Sequence, residues 1–218
     1  MIDLHTHSLF SDGVLVPSEL IRRFEAFGYQ AVAITDHVDS SMIDSVVPRI
    51  VKVARDLNEV QSVKVIPGVE ITHVPPPLIG DMVRRARKLG AALVVLHGET
   101  LVEPVAPGTN RAGLEAEIDI LAHPGLITAE EGSLAANKGI FLEITGRPGH
   151  AFSNGHVAKV AEKTGAKLVL DSDSHAPRDI LTLEMARKVV AGAGLSEGSL
   201  EVLLGNSRLL LKKIGYPL

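Results

Sequence analysis

Acidic and imidazole side chains recur in this chain at the ends of successive short apolar runs, where they could bind divalent metal ions. The ten residues are His5, His7, Asp12, His37, Glu70, His97, His123, Glu143, Asp173 and His175. Nine of the ten are candidate ligands, because imidazole and carboxylate groups ligate metals such as zinc, manganese and iron. Their convergence on one place would create a site for several ions.

The spacing of these residues predicts that they do converge. Steps of 20 to 33 residues separate the successive run-ending residues from His7 to Glu143, and each step is roughly the size of one βα unit. Strands of an α/β barrel all point the same way, so residues at their carboxyl ends meet on one rim. We therefore expect a metal site at the C-terminal rim of the strands.

Each position also has an ordinary structural interpretation. His5 and His7 are two residues apart on an extended segment, so both rings can face one ion, although two packed or exposed histidines would look the same. Asp12 lies in a Ser-Asp-Gly sequence typical of a turn, and His37 could be a hydrogen-bonded core residue. Glu70 follows an apolar run, where a buried carboxylate is costly unless a cation compensates it. The pattern as a whole favours ligation.

Composition limits the remaining possibilities. Hydrophobic residues make up 45% of the chain and aromatic residues 3%, so an aliphatic core of the barrel type is expected. The net charge of −4 gives no long-range attraction for nucleic acid. The absence of cysteine excludes disulfides and thiolate metal sites. We find no signal peptide and no apolar run of membrane-spanning length, so a cytoplasmic protein is expected.

Strand-like and helix-like segments alternate along the sequence, which predicts a parallel sheet. A length of 218 residues suits seven βα units better than the roughly 250 residues of eight. Amphipathic helices are expected between the strands, and the Pro75-Pro76-Pro77 run is expected to be a stiff extended connection. We interpret residues 1–218 as one domain. The seven expected strands are Ile2–His5, Ala31–Thr35, Lys64–Glu70, Ala92–His97, Ile118–His123, Gly139–Ile144 and Lys167–Asp171.

Taken in order, the short motifs around the candidate ligands resemble those of the PHP family, the polymerase and histidinol phosphatase domain. The resemblance implies an α/β fold of the distorted (β/α)7 TIM-like barrel type with a trinuclear site, and it covers essentially the whole chain. The motifs are His5-Thr6-His7, Ser11-Asp12-Gly13, Thr35-Asp36-His37, Gly68-Val69-Glu70, His97-Gly98, Ala122-His123-Pro124 and Asp173-Ser174-His175.

The resemblance also implies how three divalent ions would be shared, with zinc, manganese or iron as candidates. It assigns one ion to His5, His7, Glu70 and Asp173. A second ion falls to Asp12, His37 and His175, and a third to Glu70, His97 and His123. Glu143 is outside this set and is a candidate hydrogen-bond partner of a ligand histidine.

The chemistry implied is hydrolysis of a small phosphomonoester, such as a histidinol phosphate-like compound or a nucleotide, by attack of a metal-activated hydroxide at phosphorus. Arg147, Arg111 and Arg178 follow expected strand ends, and a guanidinium group can hold phosphate through two hydrogen bonds. Arg147 is the best candidate of the three. We expect a small phosphorylated substrate, no membrane and no nucleic acid partner.

Two other functions fit parts of the pattern. A metal-dependent amidohydrolase also begins with His-x-His on a first barrel strand, although it usually adds a lysine on the fourth strand. A barrel related to PHP proteins also serves as a non-catalytic RNA-binding subunit of ribonuclease P, a role that requires a basic surface. The negative net charge of the chain and the complete set of candidate metal ligands argue against the RNA-binding function.

Overall fold

The computed structural model describes residues 1–196 and 198–218, in which strands and helices alternate. The strands are β1 (Ile2–Asp3), β2 (Ala31–Ile34), β3 (His37–Val38), β4 (Lys64–Ile71), β5 (Leu93–His97), β6 (Ile120–Ala122), β7 (Phe141–Thr145) and β8 (Leu168–Asp171). The helices are α1 (Pro17–Ala26), α2 (Ile43–Asn58), α3 (Pro76–Lys88), α4 (Thr109–Glu115), α5 (Ala129–Lys138), α6 (Asn154–Thr164), α7 (Leu183–Gly192) and α8 (Ser199–Lys213). Short 3-10 helices occupy His150–Ser153 and Pro177–Asp179.

All strand pairs are parallel, and the sheet is a TIM-like barrel, as expected. The strand order is β1-β2-β4-β5-β6-β7-β8, and β3 pairs with β4. Both β2 and β3 pair with β4, along its first and second halves. They therefore form one interrupted position in the sheet, which reconciles eight strands with the seven that the sequence predicts.

The barrel is closed between β1 and β8 mainly by buried carboxylates. Asp171 Oδ1 accepts a hydrogen bond of 2.6 Å from the backbone N–H of Leu4, and Asp3 accepts from the backbone N–H of Ser172. A parallel bridge between Thr6 and Ser174 follows these contacts. The irregular join explains why the barrel is distorted.

Alternation along the strands separates an inner from an outer core. Side chains on the outer face of the strands pack against the helices. Leu210 and Leu211 of α8 join the inner group, and Lys213 contacts the carbonyl oxygen of Gly139, directly before β7. Helix α8 thus covers the end of the barrel opposite the expected site. The strand residues of the inner group are Ile2, Ala31, Ala33, Ile66, Leu93, Val95, Ile120, Ala122, Phe141 and Val169.

The prediction of an extended proline run was wrong. Pro76 and Pro77 form the first turn of α3, and Pro75 is the residue before it. The first-turn N–H groups of a helix have no intrahelical acceptor, so proline there loses nothing and its fixed φ suits the helix. Within the described residues, we find no helix long and apolar enough to cross a bilayer.

Candidate metal centre

Strand alternation brings the acidic and imidazole groups to the centre of the rim. Glu70, His97 and Glu143 follow inward-facing residues at even spacing on β4, β5 and β7, so their side chains continue the inner face. All three side chains are buried. The apolar layers below them come from the same strands, so the site lies directly on top of the barrel core.

Two further residues reach the site because their backbone leaves the extended conformation. Ala122 faces inward, so regular alternation would turn His123 outward, but His123 has a φ of 27°. Asp173, after β8, has a φ of 52°. Positive φ is uncommon for residues other than glycine and concentrates at functional sites. Both side chains are buried among the other donors.

The loop after β1 is held in place by Asp36, which precedes the ligand candidate His37. Asp36 accepts hydrogen bonds of 2.7 to 3.0 Å from the backbone N–H and hydroxyl groups of Ser8 and Ser11. A Cβ atom on Gly13 would lie 2.3 Å from the carbonyl oxygen of His7, so the turn requires glycine there. These contacts fix the segment that carries Asp12.

The first cluster joins the start of the chain to β4 and β8. His5 Nε2 lies 3.3 Å from Glu70 Oε1, and His7 Nε2 lies 3.2 Å from Asp173 Oδ1. His5 Nε2 also lies 3.8 Å from Asp173 Oδ1, and His7 Nε2 lies 3.7 Å from Glu70 Oε2. These four residues are the set that the resemblance assigns to one ion.

The second cluster surrounds Asp12, whose side chain is exposed on the outer side. Asp12 Oδ1 lies 3.4 Å from His37 Nε2 and 3.1 Å from His175 Nε2. His7 is also close enough to share an ion with these three residues. His37 Nδ1 lies 2.5 Å from Glu70 Oε2, so Glu70 contacts both clusters.

The third cluster differs from the one the sequence suggests. His123 Nε2 lies 3.6 Å from Glu70 Oε1, as the resemblance implies, but His97 and His123 also group with His150. His97 Nε2 lies 3.2 Å from Glu103 Oε2. Sequence reasoning favoured an ordinary loop residue for His150, with a proton donor or hydrogen-bond acceptor as the alternative, and it missed Glu103. Both residues lie beyond the strand ends on which the prediction is based.

Glu143 serves as the hydrogen-bond partner that the sequence suggests. Its Oε1 accepts from His5 Nδ1 at 2.7 Å, and its Oε2 accepts from the backbone N–H of His123 at 2.9 Å. Metal-binding histidines usually donate their second ring nitrogen in this way. The bond leaves His5 Nε2 free to face Glu70.

The donor set fits divalent metal ions on two structural observations. Several deeply buried donor atoms lack a hydrogen-bond partner among the described residues, namely His5 Nε2, His7 Nδ1 and Nε2, Glu70 Oε1 and His123 Nδ1. Such atoms are costly without a partner. Four ligands at about 2.0 to 2.2 Å around a tetrahedral ion lie about 3.3 to 3.6 Å apart. Apart from the 2.5 Å contact of His37 with Glu70, the donor separations above run from 3.1 to 3.8 Å around this value, longer than charge-assisted hydrogen bonds.

Burial and neighbouring imidazole groups favour the neutral form of two histidines, His7 and His123. Burial and the neighbouring imidazole of His37 hold the pKa of His7 well below its ordinary value. Burial and His97 do the same to the pKa of His123. Neutral imidazole is the form that ligates a metal ion. Burial alone would raise the pKa of Glu70, but the adjacent His5 and His37 outweigh burial and hold it well below normal.

The structure brings only one of the three candidate arginines to the ligand loops. Arg147 Nη1 lies 3.5 Å from Asp179 Oδ2, and the same oxygen accepts from the backbone N–H of His175. Arg111 lies on α4 and pairs with two exposed glutamates. The side chain of Arg178 is 89% exposed. Phosphate binding by these arginines stays a prediction.

The two remaining histidines differ in their surroundings. His156 Nε2 donates to the carbonyl oxygen of Ile127 at 2.7 Å, which is a structural contact. His73 Nε2 lies 2.9 Å from Glu103 Oε2, and the ring centroid of His73 is 5.0 Å from that of His97. His73 therefore lies beside the third cluster.

Comparison with known proteins identifies relatives over the whole chain. An uncharacterized protein of Methanocaldococcus jannaschii is 45% identical over 215 residues, covering 97% of this chain and 99% of the relative. A probable phosphatase of Thermoanaerobacter pseudethanolicus is 25% identical over 215 residues, covering 90% of this chain and 88% of the relative.

Among solved structures, a chain in the cryo-EM structure of archaeal ribonuclease P with mature tRNA has a TM-score of 0.73 at 17% identity, covering 99% of this chain and 92% of that one. That likeness shows a shared fold. The model of the PHP domain matches residues 3–99, which contain the candidate ligands from His5 to His97. The chain belongs to the PHP domain family.

Proposed function

We propose that this protein is a metal-dependent phosphoesterase that hydrolyses a small phosphomonoester with three divalent ions. The observation that carries the proposal is the convergence of imidazole and carboxylate donors from six strand ends, with buried donor atoms of His5, His7, Glu70 and His123 that have no hydrogen-bond partner among the described residues. The PHP domain match and the relative named probable phosphatase support the same reaction class.

Each of the three clusters would hold one ion. His5, His7, Glu70 and Asp173 would hold the first; Asp12, His37 and His175 the second; Glu70, His97 and His123 the third. When bound, zinc, manganese or iron ions lower the pKa of a coordinated water toward neutrality and neutralise phosphoryl charge. The imidazole and carboxylate donors do not select among these metals.

The charge of the loaded site suits an anionic substrate. Three divalent ions against the carboxylates of Asp12, Glu70 and Asp173 leave a net charge of about +3, in a chain whose formal charge is −4. The attraction for phosphate is therefore local. Arg147, which contacts the loop of His175 through Asp179, would add a guanidinium group that orients the phosphoryl oxygens.

The side chains of the site also control proton positions. The hydrogen bond to Glu143 keeps a proton on His5 Nδ1, so that the lone pair of His5 Nε2 is available to a metal ion. Thr72 Oγ1 lies 2.7 Å from His37 Nδ1 and fixes that ring. Imidazole rings fixed in this way would hold the bound ions, and through them phosphate, without rearrangement during the reaction. For the substrate we propose a compact phosphomonoester of the histidinol phosphate or nucleotide class.

Hydrolysis of p-nitrophenyl phosphate by metal-reconstituted protein tests the proposal. We expect turnover that a chelator abolishes and that added manganese or zinc restores. Glu70→Gln should remove turnover and lower the metal content, because Glu70 contacts two clusters. Glu201→Gln on α8 is the matched control, since Glu201 lies on an exposed face of the helix at the opposite end of the barrel.

The same experiment addresses the other functions. An RNA-binding scaffold would show neither stoichiometric metal nor chelator-sensitive hydrolysis, and an amidohydrolase would hydrolyse an amide panel but no phosphomonoester. Either result would overturn the proposal. A panel of phosphorylated metabolites, assayed with the reconstituted protein, would then identify the preferred substrate.

A further inference from the structure

Glu103 lies among imidazole groups from three different segments of the chain. It follows β5, and its Oε2 lies 2.9 Å from His73 Nε2 and 3.2 Å from His97 Nε2. Its Oε1 lies 3.4 Å from His150 Nε2. The Glu103 side chain is 37% exposed, whereas those of His97 and His150 are nearly buried. An acidic group thus covers the outer side of the third cluster.

The hydrogen bond of His97 makes its contact with Glu103 unusual. His97 Nδ1 lies 3.2 Å from the carbonyl oxygen of Gly98, and a carbonyl oxygen can only accept, so Nδ1 carries the proton. In a neutral ring, Nε2 is then a lone pair that faces the acceptor oxygen of Glu103. Two acceptors at this separation repel each other unless a cation lies between them.

The cation between an imidazole nitrogen and Glu103 could be a proton or a metal ion, and the nitrogen–oxygen distances distinguish the two. A hydrogen bond between imidazolium and carboxylate is about 2.7 to 2.9 Å long, which fits His73 and Glu103 at 2.9 Å. The separations from Glu103 to His97 and His150, 3.2 and 3.4 Å, are close to the roughly 3.3 Å between two ligands of one tetrahedral ion.

His150 has the orientation expected of a ligand. Its Nδ1 lies 2.7 Å from Thr100 Oγ1, so the other ring nitrogen faces the cluster. Its ring is stacked on that of His123, with centroids 4.2 Å apart, and it begins a 3-10 helix that fixes its backbone. His97, His123 and His150 each offer a nitrogen within 4.8 Å of the other two.

We infer that Glu103 and His150 are further ligands of the third ion, beside Glu70, His97 and His123, and that His73 positions Glu103 by its hydrogen bond. The inference rests on the proposed function, because it completes the coordination of one of its three ions. Five protein ligands would exceed the four of a closed tetrahedral site. Glu103, whose side chain is more exposed than those of His97 and His150, would be the ligand that a substrate oxygen replaces.

His73 shares a backbone feature with two proposed ligands. Among the described residues other than glycine, positive φ occurs at His73, Glu117, His123 and Asp173. Such conformations are maintained where the surroundings require them. The φ of 52° at His73 directs its ring to Glu103 from the end of β4, which supports a positioning function.

Metal binding by Glu103→Gln and His150→Ala tests the inference without an activity assay. Zinc titration calorimetry and metal analysis of the intact protein should give three ions in the wild type. Each variant should bind the third ion at least 10-fold more weakly, and by up to 100-fold or more, with two ions unchanged. The visible spectrum of the cobalt-loaded variants should lose one component. His73→Ala should weaken the same ion, but by less than Glu103→Gln.

Two controls separate this result from general damage. Glu201→Gln removes an exposed carboxylate at the other end of the barrel, and His156→Ala removes an imidazole with a structural contact. Both should bind three ions. Three ions of wild-type affinity in Glu103→Gln and His150→Ala would overturn this assignment alone, whereas a wild type that binds no metal would overturn the proposed function.

Discussion

Replacement of Glu143 by glutamine probes the link between a hydrogen bond and metal affinity. The Glu143 carboxylate is fully buried and accepts from two donors, His5 Nδ1 at 2.7 Å and the backbone N–H of His123 at 2.9 Å. Glutamine has nearly the same shape but only one accepting oxygen. One of the two donors must therefore face an NH2 group.

The consequence for His5 follows from which donor can change. The backbone N–H of His123 cannot lose its hydrogen, so the amide oxygen stays with it and the NH2 group faces His5 Nδ1. His5 can accept that hydrogen bond only by moving its proton to Nε2, the nitrogen 3.3 Å from Glu70 Oε1. A protonated Nε2 cannot ligate a metal ion. Loss of such partners weakens metal binding about 10- to 100-fold, or about 1.4 to 2.8 kcal/mol.

Competition with a zinc chelator measures the effect directly. We expect Glu143→Gln to weaken one ion by 10- to 100-fold and to reduce kcat/KM for p-nitrophenyl phosphate. Glu201→Gln on α8 should leave both quantities unchanged. Wild-type zinc affinity in Glu143→Gln would refute the reasoning, because the buried amide would then have no effect on the tautomer of His5.

Three more perturbations test other parts of the site. Asp36→Ala should lower the free energy of unfolding in urea by about 1 to 3 kcal/mol, because buried donors lose their acceptor; Asp36→Asn keeps most contacts, and equal stability of the two variants would contradict this. Burial lowers the pKa of His37, but Glu70 and other carboxylates outweigh burial and raise it to about 9. At pH 7.5, His37 is thus protonated in the metal-free protein, and metal binding should release its proton. Calorimetry of metal binding in buffers of different ionisation enthalpy counts the released protons. His37→Gln should release about one proton fewer than the wild type, and equal release would show that His37 is not protonated in the metal-free protein. Arg147→Ala should raise KM for a phosphomonoester about 10- to 100-fold, from the ~1.5 to 3 kcal/mol of a hydrogen bond to a charged group; an unchanged KM, equal to that of Arg208→Ala on α8, would remove Arg147 from the substrate site.

Much of the fold could be predicted because parallel strands impose a simple rule. Each strand contributes an apolar run, and the residue at its carboxyl end must face the rim. Glu70 and His97 continue the inner face of β4 and β5, so their placement follows from alternation alone. The interruption between β2 and β3 does not follow from any local pattern, since both halves pair with one neighbour.

Residues in loops could not be placed in the same way. Glu103 and His150 reach the third cluster from irregular segments after β5 and β7, where no periodicity indicates direction. His123 would be placed on the wrong face by alternation, and its positive φ corrects the direction. The proline run that includes Pro76 could not be assigned from sequence for a different reason. Such a run is compatible with both an extended segment and the start of a helix.

The central claim is that the gathered donors bind a cluster of divalent ions. Anomalous diffraction from crystals grown with zinc tests it most directly. The account predicts three peaks, one between His5, His7, Glu70 and Asp173, one beside Asp12, His37 and His175, and one beside His97 and His123. Peaks confined to other surfaces, or none within this ring of side chains, would contradict it.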